Sequence, residues 1–188
     1  MKFLRYFIFV PLIFGFPDLK VNWTGGEFNS VRVLAEGKEA LISQCIESGL
    51  AVRYRYEFRV CRRRLLWADT CGDEVVHTRT LQYDPISESY RVSIDKLGDH
   101  LAPRVVTHPA LDEALQNVTV LYSPSLSELG YSERRYPQKR APYLGVRVVT
   151  DCKGDYNETF ARISSFLTLG ILDIGTYDSG WVDFSLVR

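Results

Sequence analysis

The sequence predicts a mainly-β domain, an antiparallel β-sandwich with two or three short helices. Three observations lead there. Leu50–Val60 reads LAVRYRYEFRV, with Val52, Tyr54, Tyr56, Phe58 and Val60 on one side and Arg53, Arg55, Glu57 and Arg59 on the other. Such alternation marks a strand with one buried and one wet face, and the same residues share no stripe at helical period. Aromatic residues, mostly Tyr and Phe, make up 13% of the chain, which favours strands. Finally, three alternating segments follow one another through short turn-rich loops, as in a meander. With 188 residues, the chain has the size of one domain after an N-terminal segment is set aside.

Residues 1–20 are expected to be a signal peptide or an N-terminal membrane segment, and 21–188 a single β-rich domain. Lys2 and Arg5 form a basic start, and Tyr6–Phe16 is an uncharged, mostly apolar run of eleven residues. That run suits an export signal and is too short to cross a bilayer core of roughly 30 Å as a helix. Asp18–Glu27 reads as a linker-like entry and Phe28–Leu34 as a first strand. Glu36–Ser48 reads as a helix with Leu41, Ile42, Cys45 and Ile46 on one side, and Gly49 stands where a C-terminal cap glycine belongs.

After the central strand, Arg62, Arg63 and Arg64 break the alternation, and Asp69–Asp73 is a turn cluster. Val75–Tyr83 is the return strand. Its buried face stays open, because Val76, Thr78 and Thr80 compete with Val75, His77, Arg79 and Leu81. Tyr83-Asp84-Pro85 closes it and Tyr90–Ile94 is a third strand. His108–Gln116 reads as a second helix, with Pro109 in its first turn and Asp112 and Glu113 near its positive end. Val118–Tyr122 is a further strand, and Ser123–Pro142, with its prolines and charges, a long surface loop. Tyr143–Thr150 is a strand, 157–174 fits a helix or a late strand, and Val182, Phe184 and Leu186 alternate as the last strand.

A helix ending in Ser48-Gly49-Leu50, then the alternating strand, then a turn at Trp67-Ala68-Asp69, then YDPISESYRV at Tyr83–Val92 form a recognisable series. Together with DSGWVDFSL at Asp178–Leu186, they resemble the bacterial family DUF4390, from about Asn29 to Leu186. The resemblance implies an exported or membrane-attached bacterial protein, periplasmic or of the cell envelope, of uncharacterised role. It carries no site residues across. This chain departs from the family pattern in its four cysteines and in a loop where only Trp67 remains.

Little in the sequence points to catalysis. His77, His100 and His108 are scattered without metal-ligand spacing, and no G-x-S-x-G elbow or phosphate loop occurs. No zinc pattern and no cofactor motif is present, so neither metal nor cofactor is expected. Asp178 and Asp183 near Trp181 suit a turn better than a sugar site. Asn22, Asn117 and Asn157 head glycosylation sequons, which the bacterial reading makes chance matches. The balance of 23 basic and 23 acidic residues argues against nucleic acid as a partner. Cys45, Cys61, Cys71 and Cys152 allow three pairings, or four buried thiols, and Cys61 with Cys71 could close a hairpin base.

The unusual surface is basic. Val52–Arg64 holds six arginines and one Glu57. Arg53, Arg55 and Arg59 share a strand face that Arg91 could join. That face either binds an anion, such as an anionic lipid surface or an acidic envelope protein, or is neutralised by carboxylates on neighbouring strands. The expected function is a non-enzymatic extracytoplasmic interaction or scaffold domain. The alternatives are a carrier or sensor for an anionic or apolar ligand such as a lipid, and a hydrolase using loop Asp and His.

Overall fold

The computed structural model describes residues 19–24, 30–35, 39–64, 68–96, 103–132, 134–135, 142–153 and 176–186. The segment expected to direct export and the ambiguous 157–174 stretch lie outside them. The described elements are mainly antiparallel β-strands, as expected. In chain order they are β1 (Leu19–Thr24), β2 (Ser30–Ala35), α1 (Glu39–Glu47), β3 (Ala51–Arg62), β4 (Thr70–Cys71) and β5 (Val75–Asp84). Then come β6 (Ser89–Lys96), β7 (Arg104–His108), α2 (Leu111–Thr119), β8 (Val120–Ser125), β9 (Pro142–Lys153), β10 (Thr176–Asp178) and β11 (Val182–Ser185).

The main sheet has eight strands and runs β10-β9-β3-β5-β6-β7, with β11 also on β9 and β4 also on β3. A separate three-stranded sheet runs β1-β2-β8. The layer that covers the main sheet is therefore mixed. Val33 of β2 and Leu121 of β8 join Ile42, Cys45 and Ile46 of α1 and Ala114 and Val118 of α2 in one core with the inner face of β3. Among the described residues the second layer is a three-stranded sheet with two helices, which bears out a mainly-β fold without confirming a sandwich. The helices' apolar stripes do part of the covering.

The central strand follows its alternation. Val52, Tyr54, Tyr56, Phe58 and Val60 are all buried, and β3 is flanked along its length by β5 and β9. The register resolves the face of β5: Phe58, Tyr56, Tyr54 and Val52 stand opposite Val75, His77, Arg79 and Leu81. The inner face thus includes a histidine and an arginine, which is why alternation alone left it open. His77 meets the Phe58 ring edge-on at 5.9 Å. Buried Arg79 donates to the carbonyls of Asn117 and Val120, and Tyr56 donates to that of Val118. These two side chains satisfy carbonyls at the C-terminal end of α2, where a cation is favoured.

Several boundaries differ from the sequence reading. The entry segment contains β1, which pairs with β2 throughout, from Leu19↔Ala35 to Thr24↔Ser30. His108 ends β7 instead of opening a helix, and α2 starts three residues later behind Ala110. The 123–142 loop is not all surface, because Leu126 and Leu129 are buried in the core. α1 ends as expected: Gly49 adopts φ 73°, its N–H donates to Ile46 O, and the Leu50 N–H donates to Cys45 O. This is the paired-bond cap that a left-handed glycine permits.

Two disulfide bridges close the fold. Cys61 and Cys71 are directly opposed on β3 and β4, with Cα atoms 4.0 Å apart. Cys45 of α1 is bonded to Cys152 near the end of β9, across 107 residues of sequence.

Candidate functional site: the charged outer face of the sheet

The core lies on one side of the main sheet, so the odd-numbered residues of β3 point to the other. Arg53 is opposite Asp151 on β9, and Glu57 is opposite Arg147. This register, set by a ladder of apolar residues on the far face, brings opposite charges together as cross-strand neighbours.

The arrangement is a chain of ion pairs. Arg53 donates Nε and Nη2 to the Asp151 carboxylate, the closest contact being 2.6 Å. Glu57 lies between two guanidiniums, with Oε1 2.6 Å from Arg55 Nη2 and Oε2 3.2 Å from Arg147 Nη1. Arg147 continues to Asp178 with a second pair of donors, Nε and Nη2. The Glu57 side chain is only 4% exposed although it lies on the outer face. Three guanidiniums therefore meet three carboxylates. On β6, Arg91 is paired with Asp84. The Arg147 fork holds the Asp178 carboxyl below the usual carboxylate range.

Of the four arginines singled out from the sequence, Arg53, Arg55 and Arg91 are thus engaged by carboxylates. Arg59 differs: its guanidinium lies over the Trp181 ring, with Cζ 3.9 Å from the centroid. Two features of the edge strand place that ring. Asp178 pairs with Val149 and Val182 with Val146, so Ser179, Gly180 and Trp181 oppose only Arg147 and Val148. This is a bulge with one extra residue, closed by the Ser179 N–H donating to Val148 O and the Val148 N–H donating to Ser179 Oγ. Gly180 takes the left-handed turn at φ 66°. A bulge re-aims a side chain, and here it lays Trp181 against the outer face. Gly145 provides the space. A Cβ there would stand 3.1 Å from Arg59 Cγ and 3.3 Å from Trp181 Cε3.

The same end of the sheet holds Tyr143, whose hydroxyl donates to Asp69 at 2.8 Å, and Arg63, whose guanidinium stands 5.6 Å from the Tyr143 ring centroid. Burial, and next the bond to Asp69, pushes the Tyr143 hydroxyl up to about 12. The Tyr143 hydroxyl, and next the Arg64 N–H, hold Asp69 below the usual carboxylate range. Sequence reasoning found the arginines but missed Asp151 as the partner of Arg53, and missed Arg147 and Asp178, which carry the network on from Glu57. A register between strands some ninety residues apart cannot be read from either strand alone. Cys61 and Cys71 do meet in one bridge, and Cys152 joins Cys45.

Of the described histidines, His77 stands opposite Lys96 and His108 opposite Tyr90, so the sheet does not bring them together, and His100 lies outside the described residues. His108 Nε2 is 3.0 Å from Asn117 Nδ2, and its Nδ1 is 3.7 Å from the exposed Glu113 carboxylate, beyond hydrogen-bond reach. Among the described residues no cluster of His, Cys, Asp and Glu could hold a metal ion, and no helix is long and apolar enough to cross a membrane.

Fold and face together define a small disulfide-bridged antiparallel β domain whose outer sheet surface is a fixed array of paired charges. A family model described as a domain of unknown function, DUF4390, matches residues 34–135. The chain belongs to that family. The matched span takes in α1 through β8, including the Tyr83–Val92 segment, and stops before β9 and the Trp181 bulge. No curated protein and no solved structure matches the chain.

Proposed function

We propose that the chain is a non-enzymatic interaction or scaffold domain that works outside the cytoplasm, in the periplasm or cell envelope of a bacterium. The carrying observation is the outer face, where charged side chains pair with one another across β3, β9 and β10 instead of converging on a reactive atom. Such a face is pre-organised, so a partner that docks on it has few side chains left to order. The described helices pack on the opposite face, leaving exposed Gln82, Asp95 and Thr107 in the outer register of β5, β6 and β7. The basic, apolar N-terminus and two disulfide bridges support export, because disulfides persist in oxidising compartments. The partner is an envelope protein.

Two measurements test this reading. An alkaline phosphatase reporter fused after Lys20 is expected to be active, and a reporter confined to the cytoplasm would refute export. A photo-crosslinking residue at Gln82 is expected to yield a discrete product in intact cells. One at exposed Asp112 of α2, on the core side of the sheet, is expected to yield none. Equal products, or none from Gln82, would refute the outer face as the docking surface.

A further inference from the structure

We infer that Arg59, stacked on Trp181, is a receptor for a carboxylate group on an acidic segment of a protein partner. This inference rests on the interaction reading above and names the spot on the face where it acts. Arg59 is singled out by what its neighbours already do. Arg53, Arg55, Arg147 and Arg91 each have a carboxylate within ion-pair distance. Arg59 has none among the described residues, and its buried Nε has no hydrogen-bond partner there. A guanidinium without a counter-charge, among neighbours that each have one, calls for an explanation.

The geometry supplies one. A guanidinium held over an indole is oriented but not consumed: Nε is buried beside Gly145, and the two Nη groups are left for a forked contact with a carboxylate. Gly145 is what lets the stack sit against the sheet, and the Gly180 bulge is what turns Trp181 onto it. Arg63, beside Tyr143, adds a second exposed cation at the same end. The class of anion follows from the surrounding charge. Exposed Asp69 and Asp183 flank the spot, Asp183 standing opposite Gly145. An extended peptide can set one carboxylate on Arg59 and hold its other charges away from both, whereas a dianionic phosphate or a continuous anionic membrane brings its full charge against them. Trp181, which is half-buried, offers apolar contact to the peptide that carries it.

The test uses the full chain in neutral detergent and an acetylated, amidated hexaglutamate peptide as probe. Hexaglutamine, inorganic phosphate and phosphatidylglycerol vesicles form the comparison arms. Binding is read by NMR at the arginine Nε–H and tryptophan indole N–H signals. Hexaglutamate is expected to shift the Arg59 and Trp181 signals, with the other three probes weaker. Arg59→Gln is expected to weaken that binding about tenfold or more, and Arg55→Gln less than about twofold. Gly145→Ala leaves every charge in place but crowds the stack, and is expected to weaken binding about threefold or more. Arg59→Lys, which keeps the charge and loses the fork, should behave like Arg59→Gln, and these last two variants carry the test if Arg59→Gln does not fold. Equal losses for Arg59→Gln and Arg55→Gln, full binding by Arg59→Lys, tighter binding of phosphate or vesicles, or no hexaglutamate binding would each overturn the assignment. Those failures would leave the Gln82 crosslinks untouched, so the broader interaction reading falls or stands separately.

Discussion

Glu57 shows how one residue sets the character of the whole outer face. Its carboxylate is 4% exposed and held by Arg55 and Arg147, whose side chains are 44% and 30% exposed. Burying a charge is tolerable only when it is paired, and here two cations share the task. Arg55→Ala leaves Arg147 in place and is expected to cost about 0.5–1 kcal/mol. Replacing both arginines by alanine strands a buried carboxylate and is expected to cost about 3–5 kcal/mol, well beyond the sum of the single losses. Urea unfolding of the two single variants and the double variant measures this, and strict additivity would show that the three side chains are not a unit. Phe58→Ala, on the other side of the same strand, removes a fully buried ring and is expected to cost about 3–5 kcal/mol in the same measurement.

At the scale of elements, the two disulfides differ mainly in how much chain they close. Cys61–Cys71 spans 10 residues and Cys45–Cys152 spans 107. On the loop-entropy relation the short bridge is worth about 2.5–3 kcal/mol and the long one about 4.5–5 kcal/mol. Replacing Cys45 and Cys152 together by alanine is therefore expected to lower stability more than replacing Cys61 and Cys71, compared by thermal unfolding under non-reducing conditions. The reverse order would mean that α1 is held to the sheet by packing rather than by the bridge. As strands, β2, β3, β5, β6, β8, β9 and β11 were legible in the sequence, and the buried side was plainest where one face is apolar, as on β3 and β6. On β5 the inner row contains His77 and Arg79, so polarity no longer marked the side that faces water. β1, β7 and β10 were not legible. β7 is five residues, all of them exposed or half-buried, and β10 is only three. Leu126 and Leu129 were lost among the prolines and charges around them, although both are buried.

For the whole molecule, the titrating groups fix a pH window. Asp178 is held low chiefly by its bond to Arg147, so it is more acidic folded than unfolded. Its contribution is present above the ordinary aspartate value of about 4 and is lost as pH falls through the lower folded value. Tyr143 is raised to about 12, and burial raises Tyr54 and Tyr56 as well. These groups hold their protons more tightly folded than unfolded. Their contribution is complete below the ordinary tyrosine value of about 10 and is lost as pH rises from there toward 12. Stability, followed as the urea midpoint, is expected to be flat from about pH 5 to 9 and to fall on both sides. Asp178→Asn should reduce the acid-side slope, and Tyr143→Phe the alkaline-side slope. An unchanged profile in both would remove these two groups as its cause.

The pairing of β3 with β9 has a consequence in time. β3 can find β5 almost as soon as it is made, since Phe58 pairs with Val75 only seventeen residues on. Its other edge must wait for β9, whose register with it runs from Arg62↔Pro142 to Ala51↔Lys153. At ordinary synthesis rates that delay is roughly 5–20 s. For that interval the strand that carries the centre of the core has an open row of backbone donors and acceptors, a template for pairing with a neighbouring chain. Transport across a membrane as an unfolded polypeptide would defer the whole closure to the far side, where the Cys45–Cys152 bridge also forms only after β9 has arrived.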